Sequence, residues 1–287
     1  MIIVTGKNEL KNTIKSLPLK GKIVLVPTMG ALHIGHYTLI DQARLLAGDD
    51  GLVVVSLFIN PIQFNNQGDL KNYPRTFDDD TLGCEKHGVD IVFAPTPEEM
   101  YAPDRSIDII ESSLSSRLCG ASRPGHFSGV CTVVSKLFHL VSPTDALFGE
   151  KDFQQLAIIR RMVRDLDFDI NIHAVSTVRQ EDGLACSSRN ERLTSEQKAD
   201  ATILYKALNA ARDAWTQGES STDKLIDLSS QLILSVPSAP VIDYIEIFDK
   251  ETLAPQKQAN DRSVMALAVF FGEVRLIDNL SFSPSHS

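Results

Sequence analysis

Several kinds of segment are missing from this 287-residue chain. No apolar run approaches the ~20 residues that a membrane span needs. The start, MIIVTGKNEL over Met1–Leu10, lacks the charged lead, apolar centre and small-residue cleavage site of a secretory signal. Basic charge is in short supply: 28 Lys and Arg face 37 Asp and Glu, a formal charge of -9. The molecule as a whole therefore lacks the positive field of a nucleic-acid binder, and an anionic ligand would have to be drawn by a local basic pocket. Cysteine is sparse, and Cys84, Cys119, Cys131 and Cys186 form no CxxC pair, so neither a zinc site nor a disulfide scaffold is indicated. A cytoplasmic, reduced protein with no membrane or nucleic-acid partner is the expectation. Low-complexity tracts and internal repeats are absent too, and with 43% hydrophobic residues the chain has the composition of a folded protein.

What is present reads as two textures. From Gly21 short apolar runs (Lys22–Thr28, Leu52–Ile59, Val89–Ala94, Ala146–Phe148, Ile170–Val178) alternate with helix-like segments. Several of these runs are continuously apolar, as strands buried on both faces of a parallel sheet are. Tyr37–Ala47 and Phe153–Leu166 carry apolar residues at three- and four-residue spacing, which suits amphipathic helices. The pattern predicts a doubly wound α/β domain over residues 1–175. Beyond it, two helical stretches, Thr194–Gln217 and Ser221–Leu234, precede the apolar runs Val241–Phe248, Val264–Phe271 and Val274–Ile277. That order predicts a smaller α+β C-terminal domain over 176–287. Gly272 marks a tight connection between the last two runs, although Gly-Glu is a weak hairpin signal.

The chemistry concentrates at the ends of the predicted strands. Pro27–His36 reads PTMGALHIGH, between an apolar strand and a helix. Gly30 and Gly35 let backbone approach a ligand, and a helix start offers free N–H groups and a positive dipole end to phosphate. His33 and His36, three apart, project on one side if helical. The plainer alternative is a corner that merely happens to hold two histidines. FINPIQF over Phe58–Phe64 follows the second strand, where Asn60 and Gln63 could bond hydroxyl or carboxylate groups or simply lie on a surface loop. In GEKDFQQL, Gly149–Leu156, Lys151 is placed to reach phosphate oxygens or to stand solvated at a helix end. In CSSRN, Cys186–Asn190, hydroxyls and a guanidinium could close over phosphates, or the serines could cap the helix near Thr194.

PTMGALHIGH is similar to the HIGH-type nucleotidyl transferases. Together with FINPIQF, YPRT (Tyr73–Thr76), GASRPGHF (Gly120–Phe127), GEKDFQQL and SSRN, taken in order, it resembles the pantothenate synthetase (pantoate:beta-alanine ligase) family across nearly the whole chain. The resemblance implies a Rossmann-like doubly wound N-terminal domain with a smaller C-terminal lid, usually in a homodimer. It also implies ATP as co-substrate, Mg²⁺, and pantoate and beta-alanine as the other substrates. Carried over by position, Met29, Gly30, Ala31, Leu32, His33, Ile34, Gly35 and His36 line the ATP site, with His36 at the place of a proton donor and His33 beside the phosphates. Further ATP contacts fall on Gly149, Glu150, Lys151, Asp152, Val178, Cys186, Ser187, Ser188 and Arg189, and Lys151 joins the two histidines as a catalytic candidate. Gln63 and Gln155 match residues that hold pantoate, Asn60 lies beside them, and Val133 and Val134 match an apolar wall. Asp79 resembles an aspartate near the magnesium ion, in an acidic run that by itself reads as a solvated face. Two positions depart from the family: Ile34, where relatives often carry an acidic residue, and Cys186, where Leu is common. Residues alone leave two other readings open, a HIGH-type transferase acting on another small substrate and a non-catalytic nucleotide-binding protein.

Overall fold

The computed structural model describes residues 1–18, 20–65 and 67–283. Nine strands are formed among them: β1 (Ile2–Val4), β2 (Ile23–Thr28), β3 (Leu52–Leu57), β4 (Ile91–Phe93), β5 (Asp145–Gly149), β6 (Asn171–Val175), β7 (Val241–Asp249), β8 (Ser263–Phe271) and β9 (Val274–Ser281). The chain divides into two compact units. The first comprises Met1–Ser116, Gly120–Glu150 and Ile158–Ser176; the second comprises Arg117–Cys119, Lys151–Ala157 and the stretch from Thr177.

The first unit is a parallel six-stranded sheet in the order β1-β4-β3-β2-β5-β6 with helices on both faces, a Rossmann-like doubly wound fold. Val24, Val26, Val53 and Val55 point to one face, where they meet Ile40, Ala43 and Ala47 of helix Ile34–Ala47. Leu25 and Val54, one residue out of phase, are buried on the other face, where helix His126–Val141 packs against β2. This two-sided burial is the reason the strands read as continuous apolar runs. The edge strand β1 escapes that reading because it has three residues and leaves Ile2 and Ile3 44% exposed. From β2 the chain steps outward through β3 to β4, then returns past β2 to β5 and β6. Between β2 and β5 the winding reverses, and in open α/β sheets ligands bind outside the strand C-termini at such a reversal.

The second unit holds an antiparallel sheet, β7-β8-β9, covered by the paired helices Ile203–Thr216 and Thr222–Leu234. Leu204, Leu208, Leu225 and Ile233 from the helices pack on Met265, Leu267 and Leu276 from the strands. β8 and β9 are joined by Gly272-Glu273, with φ +60° at Gly272. A glycine in the first central position is what a type II′ hairpin requires, so the dipeptide works although it is not an Asn-Gly signal. The expected single helix over Thr194–Gln217 is instead two, Ser195–Ala201 and Ile203–Thr216. At the break, the Thr202 hydroxyl donates to the Ala199 carbonyl at 2.8 Å, a local bond that competes with the helix ladder.

Away from the strand C-termini, a charge cluster ties β5 to its neighbours. The Asp145 carboxylate, 1% exposed, meets His173 Nε2 on β6 at 2.7 Å, Thr144 Oγ1 at 2.7 Å and Lys22 Nζ at 3.4 Å. Burial pushes its pKa up, but the His173 and Thr144 hydrogen bonds and the Lys22 charge together outweigh burial and hold it below the ordinary carboxylate range. A depressed folded-state pKa means that the stabilisation is complete above the unfolded value of ~3.9 and is lost as pH falls through the lower folded value. Asp145→Asn is therefore expected to cost about 1–3 kcal/mol near neutral pH. Thermal melts of both proteins from pH 7 down to pH 3 should show the gap closing only below about pH 4.

Candidate active site

The first unit's candidate residues gather where β2 and β3 end. The Thr28 hydroxyl donates to the Ser56 carbonyl at 2.7 Å and accepts from Gly30 N–H at 3.2 Å, which turns the chain out of the sheet. Gly30 (φ +80°) and Ala31 (φ +52°) then take left-handed conformations. Such a turn leaves amides without ladder partners, and Asp80 supplies them. Its Oδ2 accepts from Ala31 N–H at 2.9 Å and its Oδ1 from Leu32 N–H at 2.7 Å, with a further bond from Thr76 Oγ1 at 3.1 Å. A Cβ on Gly30 would lie 3.0 Å from the same carboxylate.

His33 is not inside the helix but is its N-cap, with extended backbone. Its Nδ1 accepts from Gly35 N–H at 3.1 Å, while His36 Nδ1 accepts from His33 N–H at 3.3 Å, so two histidines build the reciprocal capping box usually made by Ser and Glu. The ring centroids are 4.1 Å apart. With both Nδ1 atoms accepting, each neutral ring carries its proton on Nε2 and can donate only from that edge. The pair sits at the positive end of a 14-residue helix, a place suited to phosphate oxygens.

The Asn60–Gln63 turn stands next to this corner. Gln63 Nε2 donates to Met29 Sδ at 3.1 Å, its Oε1 accepts from Asn60 Nδ2 at 2.9 Å, and its main-chain carbonyl meets His126 Nδ1 at 2.8 Å. Gly129 permits the contact with helix His126–Val141: a Cβ there would lie 2.6 Å from Ile62 O and 2.7 Å from Gln63 Cα. The GASRPGHFSGV segment thereby acquires a physical role, seating the turn that carries Asn60 and Gln63. Val133 and Val134 follow on the same helix, 7% and 4% exposed. The Gln63 amide is thus oriented by its neighbours, with Oε1 toward Asn60 and Nε2 toward Met29.

Asp79 lies exposed on helix Phe77–Lys86, and the neighbouring Asp80 is the member of the acidic run that reaches the corner. Among the described residues no group of three or more His, Cys, Asp or Glu could cage a metal ion. A single exposed carboxylate does fit Mg²⁺, which is commonly held by one or two carboxylates together with nucleotide phosphates. Gly149 and Glu150, both half-buried, close this unit's set at the end of β5.

In the second unit, Val178 and Cys186–Arg189 sit at the base and exit of a short antiparallel loop. Cys186 N–H donates to Val178 O at 2.9 Å, and Arg179 bridges Ala185. A buried clamp fixes this loop: Arg179 donates both Nη groups to Asp278, at 2.6 and 2.9 Å, and lies 3.8 Å over the Tyr205 ring. Next to Asp278, Asn279 Nδ2 donates to Lys151 O at 3.0 Å, anchoring the Glu150–Asp152 turn. Ser187 caps only the short helical turn Ser188–Arg192, accepting from Arg189 N–H at 3.3 Å. Thr194, with Gln197, caps the helix that follows, so the serines are not its caps. Lys151 is half-buried, Asp152 exposed, and Gln155 half-buried on the first turn of helix Phe153–Asp165. Burial pushes the Cys186 thiol pKa up, with Asp182 adding to the rise and Lys151 and Arg179 opposing it. Asp80, Arg179, Asp278 and Asn279 carry no motif signal of their own; only their contacts reveal them.

Comparison with known proteins agrees with this geometry. A family model described as pantoate-beta-alanine ligase matches residues 2–281. A pantothenate synthetase of Akkermansia muciniphila is 58% identical over 258 residues, 90% of this chain and 91% of that protein. The crystal structure of pantothenate synthetase from Thermus thermophilus superimposes with a TM-score of 0.92 at 43% identity, covering 99% of this chain and 100% of the other. The Francisella tularensis pantoate-beta-alanine ligase, crystallised with beta-gamma ATP and beta-alanine, gives a TM-score of 0.80 at 33% identity with both chains fully covered. On the match across residues 2–281 and on these relatives, the chain belongs to the pantoate-beta-alanine ligase family.

Proposed function

We propose that the protein condenses pantoate with beta-alanine to pantothenate at the expense of ATP, through a pantoyl adenylate. The observation that carries the reading is the corner at the end of β2, where two interlocked imidazoles begin a helix and Met29 of the same turn meets the Gln63 amide. A carboxylate does not react with an amine near neutral pH because oxide would have to leave. Attack of the pantoate carboxylate oxygen on the α-phosphorus forms a P–O bond and breaks the bond to the β-phosphate, releasing pyrophosphate. The free amine of beta-alanine then attacks the acyl carbon, the C–O bond to phosphate breaks, AMP leaves and the amine sheds a proton.

No step attaches substrate to the protein, so its task is to position reactants and to stabilise charge on phosphate oxygens. His33 and His36 would do this from the helix start, with His36 as the proton donor, and Lys151, Ser187, Ser188 and Arg189 would add donors from the second unit. The backbone of Met29–His36, Gly149–Asp152 and Val178 would line ATP. Gln63, Asn60 and Gln155 would hold pantoate against Val133 and Val134. Mg²⁺ bound with ATP through Asp79 would neutralise phosphate charge. The smaller unit would serve as a lid that keeps water from the adenylate, and the working form would be a cytoplasmic homodimer. Among the described residues no helix is long and apolar enough to cross a membrane.

The direct test supplies ATP, pantoate and beta-alanine and follows AMP and pantothenate by mass. A stable nucleotide conjugate in place of AMP would place the chain with other nucleotidyl transferases. His33→Ala and His36→Ala are each expected to slow pantoate-dependent exchange of pyrophosphate into ATP by ~10²- to 10³-fold. Near-normal exchange in correctly folded mutants would remove the imidazoles from the mechanism. Cys186→Ser, by contrast, is expected to retain most activity, since a buried thiol with a raised pKa is a poor nucleophile and the chemistry calls for none. A folded Cys186→Ser protein that binds ATP yet never turns over would count against a mechanism without a covalent intermediate.

A further inference from the structure

A glycine inside a helix is unfavourable relative to alanine, because it brings backbone freedom to be lost and no side chain to pack. Gly83 is buried in the interior of helix Phe77–Lys86 and uses none of the left-handed freedom that glycine offers. What it supplies is room. A Cβ there would lie 2.3 Å from Tyr37 Oη, 2.6 Å from Cε1 and 2.7 Å from Cζ. Tyr37 follows His36 on helix Ile34–Ala47, so the ring that fills this room comes from the first turns of the helix that the two imidazoles begin.

The contacts continue in register along the seam between the two helices. Tyr37 stacks on His87, with ring centroids 4.6 Å apart and planes 6° from parallel. His87 Nδ1 donates to Asp41 Oδ1 at 2.6 Å. Past the helix end, Arg44 Nη1 donates to the Gly88 carbonyl at 3.3 Å and to Asp90 Oδ2 at 2.8 Å. Tyr37, Asp41 and Arg44 are spaced by four and three, and Asp80, Gly83 and His87 by three and four, so each set forms one stripe of its helix. Asp80 is therefore the first member of the stripe on which Tyr37 presses. Burial, and then the Asp80 charge, push the Tyr37 phenol pKa up, so the hydroxyl keeps its proton near that carboxylate. Successive helical residues are turned by about 100°, and a rotation of that size would bring a neighbour of Asp80 to the corner in its place. The Asp80 bonds to the Ala31 and Leu32 amides, at 2.9 and 2.7 Å, would be broken by a retreat of about 1 Å.

We propose that Tyr37, seated on Gly83 and stacked on His87, is a positioning residue that fixes the rotation of helix Phe77–Lys86, so that Asp80 holds the Ala31 and Leu32 amides and with them the His33–His36 cap. The kinetic part of this inference rests on the adenylate-forming reading above; the amide contacts are independent of it.

The test reads hydrogen exchange of the Ala31 and Leu32 amides by NMR, with kcat and pantoate KM for pantoate-dependent pyrophosphate exchange and the melting temperature alongside. In Gly83→Ala the added methyl displaces the ring, and exchange at both amides should rise about thirtyfold or more. Its kcat should fall by about 10- to 100-fold while pantoate KM moves less than about threefold, as expected when a catalytic group is misplaced and the acid site is not. Tyr37→Leu alone should raise exchange at the same amides by about three- to tenfold. Added to Gly83→Ala, it removes the collision, so the double mutant should return to about the Tyr37→Leu level, a rescue that two independent packing defects would not give. Leu82→Ala, on the exposed face of the same helix, should stay within about twofold of wild type in both readouts. Unmoved amides in Tyr37→Leu, a double mutant worse than Gly83→Ala, or a comparable rise in Leu82→Ala overturns the proposal. Should Gly83→Ala fail to fold, amide exchange in Tyr37→Leu decides. Wild-type protein with no pantoate-dependent exchange would overturn the functional reading and leave the amides to judge the seam, whereas active wild type with unmoved amides in Tyr37→Leu overturns the seam alone.

Discussion

The Asp80 carboxylate is buried and fully engaged, and the corner after β2 depends on it. A chain leaving a parallel strand for a helix must shed its ladder partners within a few residues. Here it does so through two left-handed residues, one of them alanine, which costs of order 1–3 kcal/mol of strain at a non-glycine position. Two amides of that turn, Ala31 and Leu32, would otherwise be stranded at the edge of the core. A carboxylate that accepts both returns the strain in charge-assisted hydrogen bonds. The same contact places a negative charge just ahead of the helix, so the N-terminal dipole is partly answered by the protein and partly left for a ligand. Everything downstream inherits its position from this turn: the His33 cap, the His36 acceptor, and Met29, which Gln63 reaches.

The second unit solves the matching problem by different means. Its candidate residues lie on a loop and on a short turn, neither of which has a sheet to brace it. The Arg179–Asp278 pair supplies the brace, with a bidentate contact at 15% and 2% exposure and an aromatic ring under the guanidinium. A buried pair of this kind adds little to net stability against an apolar alternative, yet removing one partner strands the other charge. What it provides is geometry. Asp278 holds the Val178–Arg189 loop from one strand position while Asn279, the next residue on β9, holds the Lys151 turn. Adjacent strand residues face opposite ways, so one edge of β9 orders two separate segments.

Much of this was legible in the sequence because the responsible forces are local or periodic. Continuous apolar runs disclosed strands buried on both faces, and the glycines and histidines of Pro27–His36 disclosed a turn from strand into helix start. What stayed hidden rests on contacts distant along the chain. Asp78, Asp79 and Asp80 are identical in composition, and only the helix rotation of Phe77–Lys86 sends Asp80 inward and leaves Asp79 outside. His33 and His36 were visible as a pair, but spacing alone suggested two helical side chains and not a cap with its reciprocal partner. Gln63 could be named as a polar contact. Its orientation could not, because Asn60, which donates to its oxygen, is itself held by the Gly129 carbonyl far along the chain.

The two departures from the family pattern have physical explanations in this frame. Ile34 is the first residue of its helix and 58% exposed, so no packing depends on it. An acidic residue there would favour the helix dipole by roughly 0.3–1 kcal/mol, and it would also oppose an incoming phosphate at the same end. Isoleucine forgoes the first effect and removes the second, leaving the N-terminus more positive. Cys186 faces the other way: it is 6% exposed, and its backbone, not its sulfur, makes the bond to Val178. A buried cysteine behaves as a small hydrophobe, so it fills the apolar position that leucine fills elsewhere with less volume. Neither substitution therefore removes a hydrogen-bond donor from its own unit's candidate segment.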